Sequence, residues 1–139
     1  MPAAPRSRAA DLPVRPGEEP WTEEELAEVR AELESEAAGL RAEIGQVESH
    51  IAERLSDAVG DAGDDQADAG AKAFEREHEL AITHNARELL DQTDRALAGI
   101  DAGTYGVCES CGKPIGKARL LAFPRATLCV ECKQRQERR

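Results

Sequence analysis

The sequence predicts an all-α fold: a long antiparallel coiled-coil hairpin with a small four-cysteine globular end and a short C-terminal helix. Three observations predict it. Trp21, Phe74, Tyr105 and Phe123 are the only aromatic residues, and a third of the 139 residues are charged. Such a composition cannot fill a large globular core and favours long helices with a narrow apolar seam. One stretch carries apolar residues at heptad spacing, and all four cysteines lie in two C-x2-C pairs near the C-terminus.

Residues 1–20 hold five of the seven prolines, at Pro2, Pro5, Pro13, Pro16 and Pro20. Among small and charged neighbours, they predict a disordered arm. The hairpin is expected over 21–103. Thr22 with Glu25 fits a capping box, and Glu23, Glu24 and Glu25 suit the positive end of a helix dipole. Leu26, Leu33, Ala37, Leu40, Ile44, Val47 and Ile51 then follow a heptad seam that Arg30 breaks once. A helix from 22 to about 56 is about 50 Å long. Residues 57–70 contain Asp57, Asp61, Asp64, Asp65 and Asp68, with Gly60, Gly63 and Gly70 and no Lys or Arg. This predicts an acidic tip. A second helix is expected over about 71–101, its sparser apolar face made by Leu80, Leu90, Leu97 and Ile100 with Phe74, Ala73 and Ala86, and stopped by Gly103. Two such helices joined by a short turn form an antiparallel hairpin, and a monomer is the expected state. Residues 104–139 form the cysteine-bearing end, with a basic helix from Lys133 to Arg139. Trp21 is placed to pack at the helix start or against that end.

Charge is unevenly spread. From Cys108 to Arg139 there are eight Lys/Arg and three Glu, giving +5, so a chain of net charge -10 carries -15 elsewhere. Phosphate repels an acidic surface, so the acidity argues against general DNA coating, and a basic protein surface is the better partner for the acidic part. The basic tail, with Lys133, Arg135, Arg138 and Arg139, suits nucleic acid or an acidic protein surface, or equally complements the negative end of a helix. No apolar run approaches the roughly 20 residues of a membrane span, and the N-terminus lacks a signal-peptide core. A cytoplasmic location is expected. There is no Gly-rich phosphate loop and no nucleophile–base set, so no catalysis is expected.

The sharpest motif is Cys108-Glu-Ser-Cys111, then seventeen residues, then Cys129-Val-Glu-Cys132. Each C-x2-C turn aims two thiolates at one metal, and two turns supply the four sulfurs that structural zinc takes. Four thiolates close the shell, which separates a structural site from a catalytic one. Gly112 lets the first turn adopt a left-handed conformation. Ile115, Leu120, Leu121, Phe123 and Leu128 are available for a small core around one zinc ion. His50, His78 and His84 lie on the helical stretches with no spacing that matches the cysteines.

Residues 94–132, DRALAGIDAGTYGVCESCGKPIGKARLLAFPRATLCVEC, resemble the DksA/TraR family of zinc-finger transcription regulators. The resemblance rests on Ala-Leu-x-x-Ile-x-x-Gly-x-Tyr-Gly-x-Cys, on Cys-Gly-x-x-Ile, on the Arg-Leu pair and on the proline before Cys129. It implies a zinc-finger end bearing a coiled coil that enters the secondary channel of bacterial RNA polymerase. There, an Asp-x-x-Asp-x-Ala tip alters open-complex lifetime. Counted without a gap from the first cysteine, that tip falls on Asp65 and Asp68, with Gly70 where the family has alanine. Family members that respond to the nucleotide ppGpp use basic residues near the finger. The corresponding positions here are Asn85, Gln92, Phe123 and Lys133, and Lys133 alone is basic. A nucleotide with two pyrophosphates needs several cations, so weak or absent direct ppGpp enhancement is expected. Three rival readings are a DNA-binding zinc regulator, a zinc-thiolate redox sensor, and a polymerase-binding relative made inactive by Gly70.

Overall fold

The computed structural model describes residues 9–60 and 66–138. A single 3-10 turn, Ala9–Asp11, precedes four helices: α1 (Glu23–Gly60), α2 (Gln66–Ala102), α3 (Lys117–Ala122) and α4 (Val130–Glu137). No strand occurs among the described residues, and one isolated antiparallel bridge joins Val107 to Pro114. The chain divides into a globular unit, residues 1–35 with 92–139, and a hairpin unit, residues 36–91.

The start of α1 is the expected capping box. The Glu25 N–H donates to Thr22 Oγ1, and the Thr22 N–H donates to Glu25 Oε1, both at 3.1 Å. Two donors that a helix start leaves orphaned are thereby satisfied. In the globular unit, Leu26, Val29 and Leu33 of α1 and Ile100 of α2 share one buried cluster with Trp21, Tyr105, Ile115, Leu120, Cys108, Cys129 and Cys132. Arg30, which breaks the apolar series, turns aside to pair with Asp101 at 2.5 Å. Past α2, Gly103 adopts φ 78, and the N–H groups of Thr104 and Tyr105 fold back to the Gly99 carbonyl at 2.9 and 3.1 Å. A residue with a Cβ resists that left-handed φ, so the glycine ends the helix here.

In the hairpin unit, Ala37 is buried, and Leu40, Ile44, Val47 and Ile51 are half-buried, as the heptad reading requires. Antiparallel pairing shows in the partners: Glu48 with Arg87, His50 with Glu79, and Arg54 with Glu75. The second seam differs from expectation. Leu80 is 52% exposed and Phe74 is 73% exposed. The inward phase of α2 runs back from Leu90 through Ala86 and Thr83 to Glu79 in steps of three and four. Leu80 and Phe74 stand out of that phase, so their apolarity misled the reading of the face.

The acidic segment is also more helical than its glycines suggest. α1 runs on to Gly60, and α2 starts at Gln66, so Asp68 and Gly70 are the third and fifth residues of a helix. Glycine at a helix end costs little, and an acidic residue suits the first turn. Asp65 lies outside the described residues.

The proline-rich arm is corrected for residues 9–20. Ala9 and Leu12 are buried in the globular core. The Ala9 N–H donates to Glu23 Oε1 at 3.0 Å, and the Lys117 and Ala118 N–H groups both donate to the Glu18 carboxylate at 3.0 Å. Proline fixes φ and brings no N–H that must be satisfied, so a proline-rich strap packs well wherever a few apolar side chains anchor it. Residues 1–8, the rest of that expectation, lie outside the described residues.

Candidate metal centre

The two C-x2-C turns are built differently. Cys108 opens a tight loop in which its N–H donates to the Lys113 carbonyl at 2.9 Å and Gly112 N–H donates to the Cys108 carbonyl at 3.0 Å. Gly112 takes φ 73, the left-handed turn expected directly after Cys111. Ile115 N–H then closes on the Gly106 carbonyl at 2.8 Å. Cys129 is the residue before α4, in extended backbone, and Cys132 sits in the first turn of that helix. The loops are tied together by Glu109 N–H to the Thr127 carbonyl at 2.9 Å. Arg119 Nε also donates to the Leu128 carbonyl at 3.1 Å.

This scaffold gathers four sulfurs. The Sγ atoms of Cys108, Cys111, Cys129 and Cys132 all lie within 4.8 Å of one another. A tetrahedron with zinc–sulfur legs of about 2.3 Å has edges of about 3.8 Å. The Cys111 and Cys129 sulfurs are 3.8 Å apart. The donor set therefore fits zinc in size and in chemistry. Cys108, Cys129 and Cys132 are buried, and Cys111 faces solvent.

The electrostatics fit a cation as well. Burial pushes the Cys108 thiol up, but N–H groups of Cys111, Cys129 and Ser110 outweigh it and bring the pKa down to about 6. The Cys129 N–H stands 3.4 Å from that sulfur. Cys132 moves the other way. Its hydrogen bond with the Cys129 thiol dominates, and the crowding of sulfurs pushes it up to about 12. Four sulfurs this close cannot all ionise unaided, and a divalent ion removes that conflict.

The core beside the sulfurs is small and tightly specified. Ile115 and Leu120 are fully buried. Tyr105 donates its hydroxyl to the Pro124 carbonyl at 2.9 Å. Burial, aided by the charge of Glu32, pushes that phenol above its ordinary value. Trp21 packs edge-on to Tyr105 with ring centres 6.1 Å apart. Lys117 Nζ lies 5.9 Å from the Trp21 ring centre, 2.6 Å from Glu25 Oε1 and 3.3 Å from the Pro20 carbonyl. Trp21 packs against the cysteine-bearing end, one of the two placements expected of it. The pairing of Glu18 with the start of α3 was not legible, because the partners lie about a hundred residues apart in sequence.

The other candidate residues are spread out. Lys133 is exposed and lies 4.0 Å from Glu137 one turn on. Phe123 is 61% exposed, with the Arg119 guanidinium 5.7 Å from its ring centre. Asn85 is exposed in the hairpin unit, and Gln92 is exposed in the globular unit. The Asp68 side chain lies outside the description, as does all of Asp65, so no geometry of the acidic tip is given. No helix is long and apolar enough to cross a membrane among the described residues.

Comparison with known proteins agrees with this centre. Residues 103–138 match the family described as the prokaryotic dksA/traR C4-type zinc finger. A Caulobacter vibrioides protein named RNA polymerase-binding transcription factor DksA is 44% identical over 75 residues. That match covers 54% of this chain and only 53%, about half, of the relative. The Escherichia coli protein of the same name is 34% identical over 119 residues, covering 86% of this chain and 76% of the relative. Among solved structures, transcription factor DksA2 from Pseudomonas aeruginosa superposes with a TM-score of 0.68 at 33% identity, covering 84% of this chain and 85% of that one. With more than 30% identity sustained over most of both chains, and four cysteines gathered where the family places its metal, this chain belongs to the DksA/TraR family.

Proposed function

We propose that the chain binds bacterial RNA polymerase in the cytoplasm and regulates transcription initiation, with no catalysis of its own. The observation that carries this reading is the 34% identity over 119 residues to a polymerase-binding factor. A match of that length takes in hairpin as well as finger. Cys108, Cys111, Cys129 and Cys132 hold one zinc ion, whose part is to hold the small globular unit together. The hairpin enters the secondary channel of the polymerase and presents Asp65 and Asp68. In that confined, basic surrounding a carboxylate acts more strongly than it does in water. The protein acts as a monomer, reads no DNA sequence directly, and responds weakly or not at all to ppGpp.

The test is in vitro transcription from a stable-RNA promoter with polymerase from the same source. Wild type is expected to change transcript yield, and the Asp65→Asn/Asp68→Asn variant to lose the effect while still binding polymerase. Added ppGpp is expected to leave the wild-type effect unchanged. Absence of polymerase binding overturns the reading, and an operator footprint by the protein alone supports a DNA-binding regulator instead.

A further inference from the structure

The seam of the hairpin unit changes chemistry along its length. On α1 the inward positions from Ala37 to Ile51 are apolar, and the next is Arg54. On α2, inward Leu90 and Ala86 give way to Thr83, whose hydroxyl donates to the Glu79 carbonyl at 2.9 Å, and then to Glu79 itself. The Glu79 side chain is only 16% exposed. Its Oε1 lies 2.7 Å from Arg54 Nη2 and 3.4 Å from His50 Nδ1. Arg54 Nη1 lies 3.4 Å from Glu75 Oε2. The second oxygen of Glu79 is buried with no hydrogen-bond partner among the described residues. Past Ile51, the large apolar side chains described at this end, Leu55, Phe74 and Leu80, face solvent instead.

We propose that Arg54, gripping Glu79 and Glu75 with His50 beside it, is an electrostatic clasp that holds the hairpin unit together over residues 50–54 and 75–79. The end opens as a local unit whenever the clasp lets go. From Ala37 to Ile51 the inward side chains of α1 are apolar and their burial is not screened by salt, with the Glu48–Arg87 pair on the exposed flank. At the clasp, among the described residues, the two helices meet through the Arg54 guanidinium and the His50 imidazole against two carboxylates. Ion pairs so near solvent are weak and screenable, and one oxygen left unpaired in the seam weakens this one further. A segment with few buried apolar contacts has a low opening free energy. The clasp is selective in its pairing. Sliding the helices by one heptad toward the other end leaves Arg54 facing Ala86 and Ile82, so an unpaired charge opposes that slip. The proposal concerns the hairpin alone and stands whether or not polymerase is the partner.

Hydrogen–deuterium exchange on the full zinc-loaded chain tests it, at about 0.01 M and about 1 M salt, where screening lengths are about 30 Å and about 3 Å. Amides of residues 51–56 and 71–83 are expected to exchange about five-fold faster at high salt, and about five-fold faster in Arg54→Met at low salt. Those of 105–132 stay unchanged. The Arg54→Leu/Glu79→Leu variant, which replaces the clasp by an apolar pair, is expected to slow exchange and remove its salt dependence. Salt-independent exchange in the wild type, or Arg54→Met exchanging like wild type, overturns the proposal.

Discussion

At the scale of single residues, a carboxylate reaching in from far along the chain can satisfy the N–H groups that a helix start leaves orphaned. Glu18 accepts from the N–H groups of Lys117 and Ala118 at 3.0 Å and from its own neighbour Arg15 at 2.7 Å. It acts as a cap for α3 supplied from far away in sequence, since Gly116 before that helix has no side chain to do so. Glu18→Gln is expected to lower stability by about 1 kcal/mol, the usual size of a lost cap, read by chemical denaturation. The pH dependence follows from the same contacts. Burial raises the Glu18 pKa, but those hydrogen bonds and the charge of Arg15 outweigh it, so the folded value lies below the ordinary 4.5. A lowered carboxyl pKa stabilises the fold fully above the unfolded value and loses that contribution as pH falls through the folded one. The stability difference between wild type and Glu18→Gln is therefore expected to shrink below about pH 4.5. Gly70 offers a contrasting substitution. A Cβ built there meets nothing within 4 Å, and the residue is helical. Gly70→Ala is expected to stabilise the protein by up to about 1 kcal/mol. The same variant places alanine at the third position of the proposed tip, so a rise in promoter regulation in the transcription assay would support a part for residue 70 in the proposed function.

At the scale of elements, the two long helices are specified unequally. α1 has a capping box, an acidic first turn and a sustained heptad, and each of these is local in sequence. Its start was legible for that reason. Thr22→Ala removes one half of the box and is expected to cost about 1 kcal/mol, measured as a shift in the thermal midpoint. α2 lacks such signals, and its inward face contains Thr83, Thr93 and Glu79 among the apolar positions. Apolarity alone pointed to Leu80 and Phe74, which the helix turns outward. The phase of a helix is decided by which residues its partner covers, and one sequence does not state that when the seam is partly polar. The finger elements are the reverse case. Two C-x2-C turns and Gly112 predict their own geometry, because the ligand spacing and the left-handed turn are both short-range constraints.

At the scale of the whole molecule, stability is expected to depend on metal in the globular unit. Its core is small, and three of the buried members are cysteines whose sulfurs need a cation. Chelation is expected to unfold this unit, read as exposure of Trp21 by fluorescence, and metal analysis is expected to return about one zinc per chain. A chain that keeps Trp21 buried after complete chelation would show that strap and apolar core suffice without metal. Charge acts at this scale too. The segment from Cys108 to Arg139 carries eight Lys/Arg against three Glu, while the chain as a whole carries -10, so the two parts attract surfaces of opposite sign.

The sequence by itself determined the class of the fold, the two helices, the start of α1, the stop at Gly103 and the four residues offered to the metal. All of these rest on spacings of a few residues, where backbone geometry translates pattern directly into structure. Only the tertiary structure decided that residues 9–20 are packed, that Glu18 caps α3, that Lys117 bridges Glu25 and Trp21, and that Arg54 and Glu79 meet in the seam. Those contacts join positions remote along the chain. Their free energy depends on burial and on a partner's exact placement, and neither is encoded in any local run of residues.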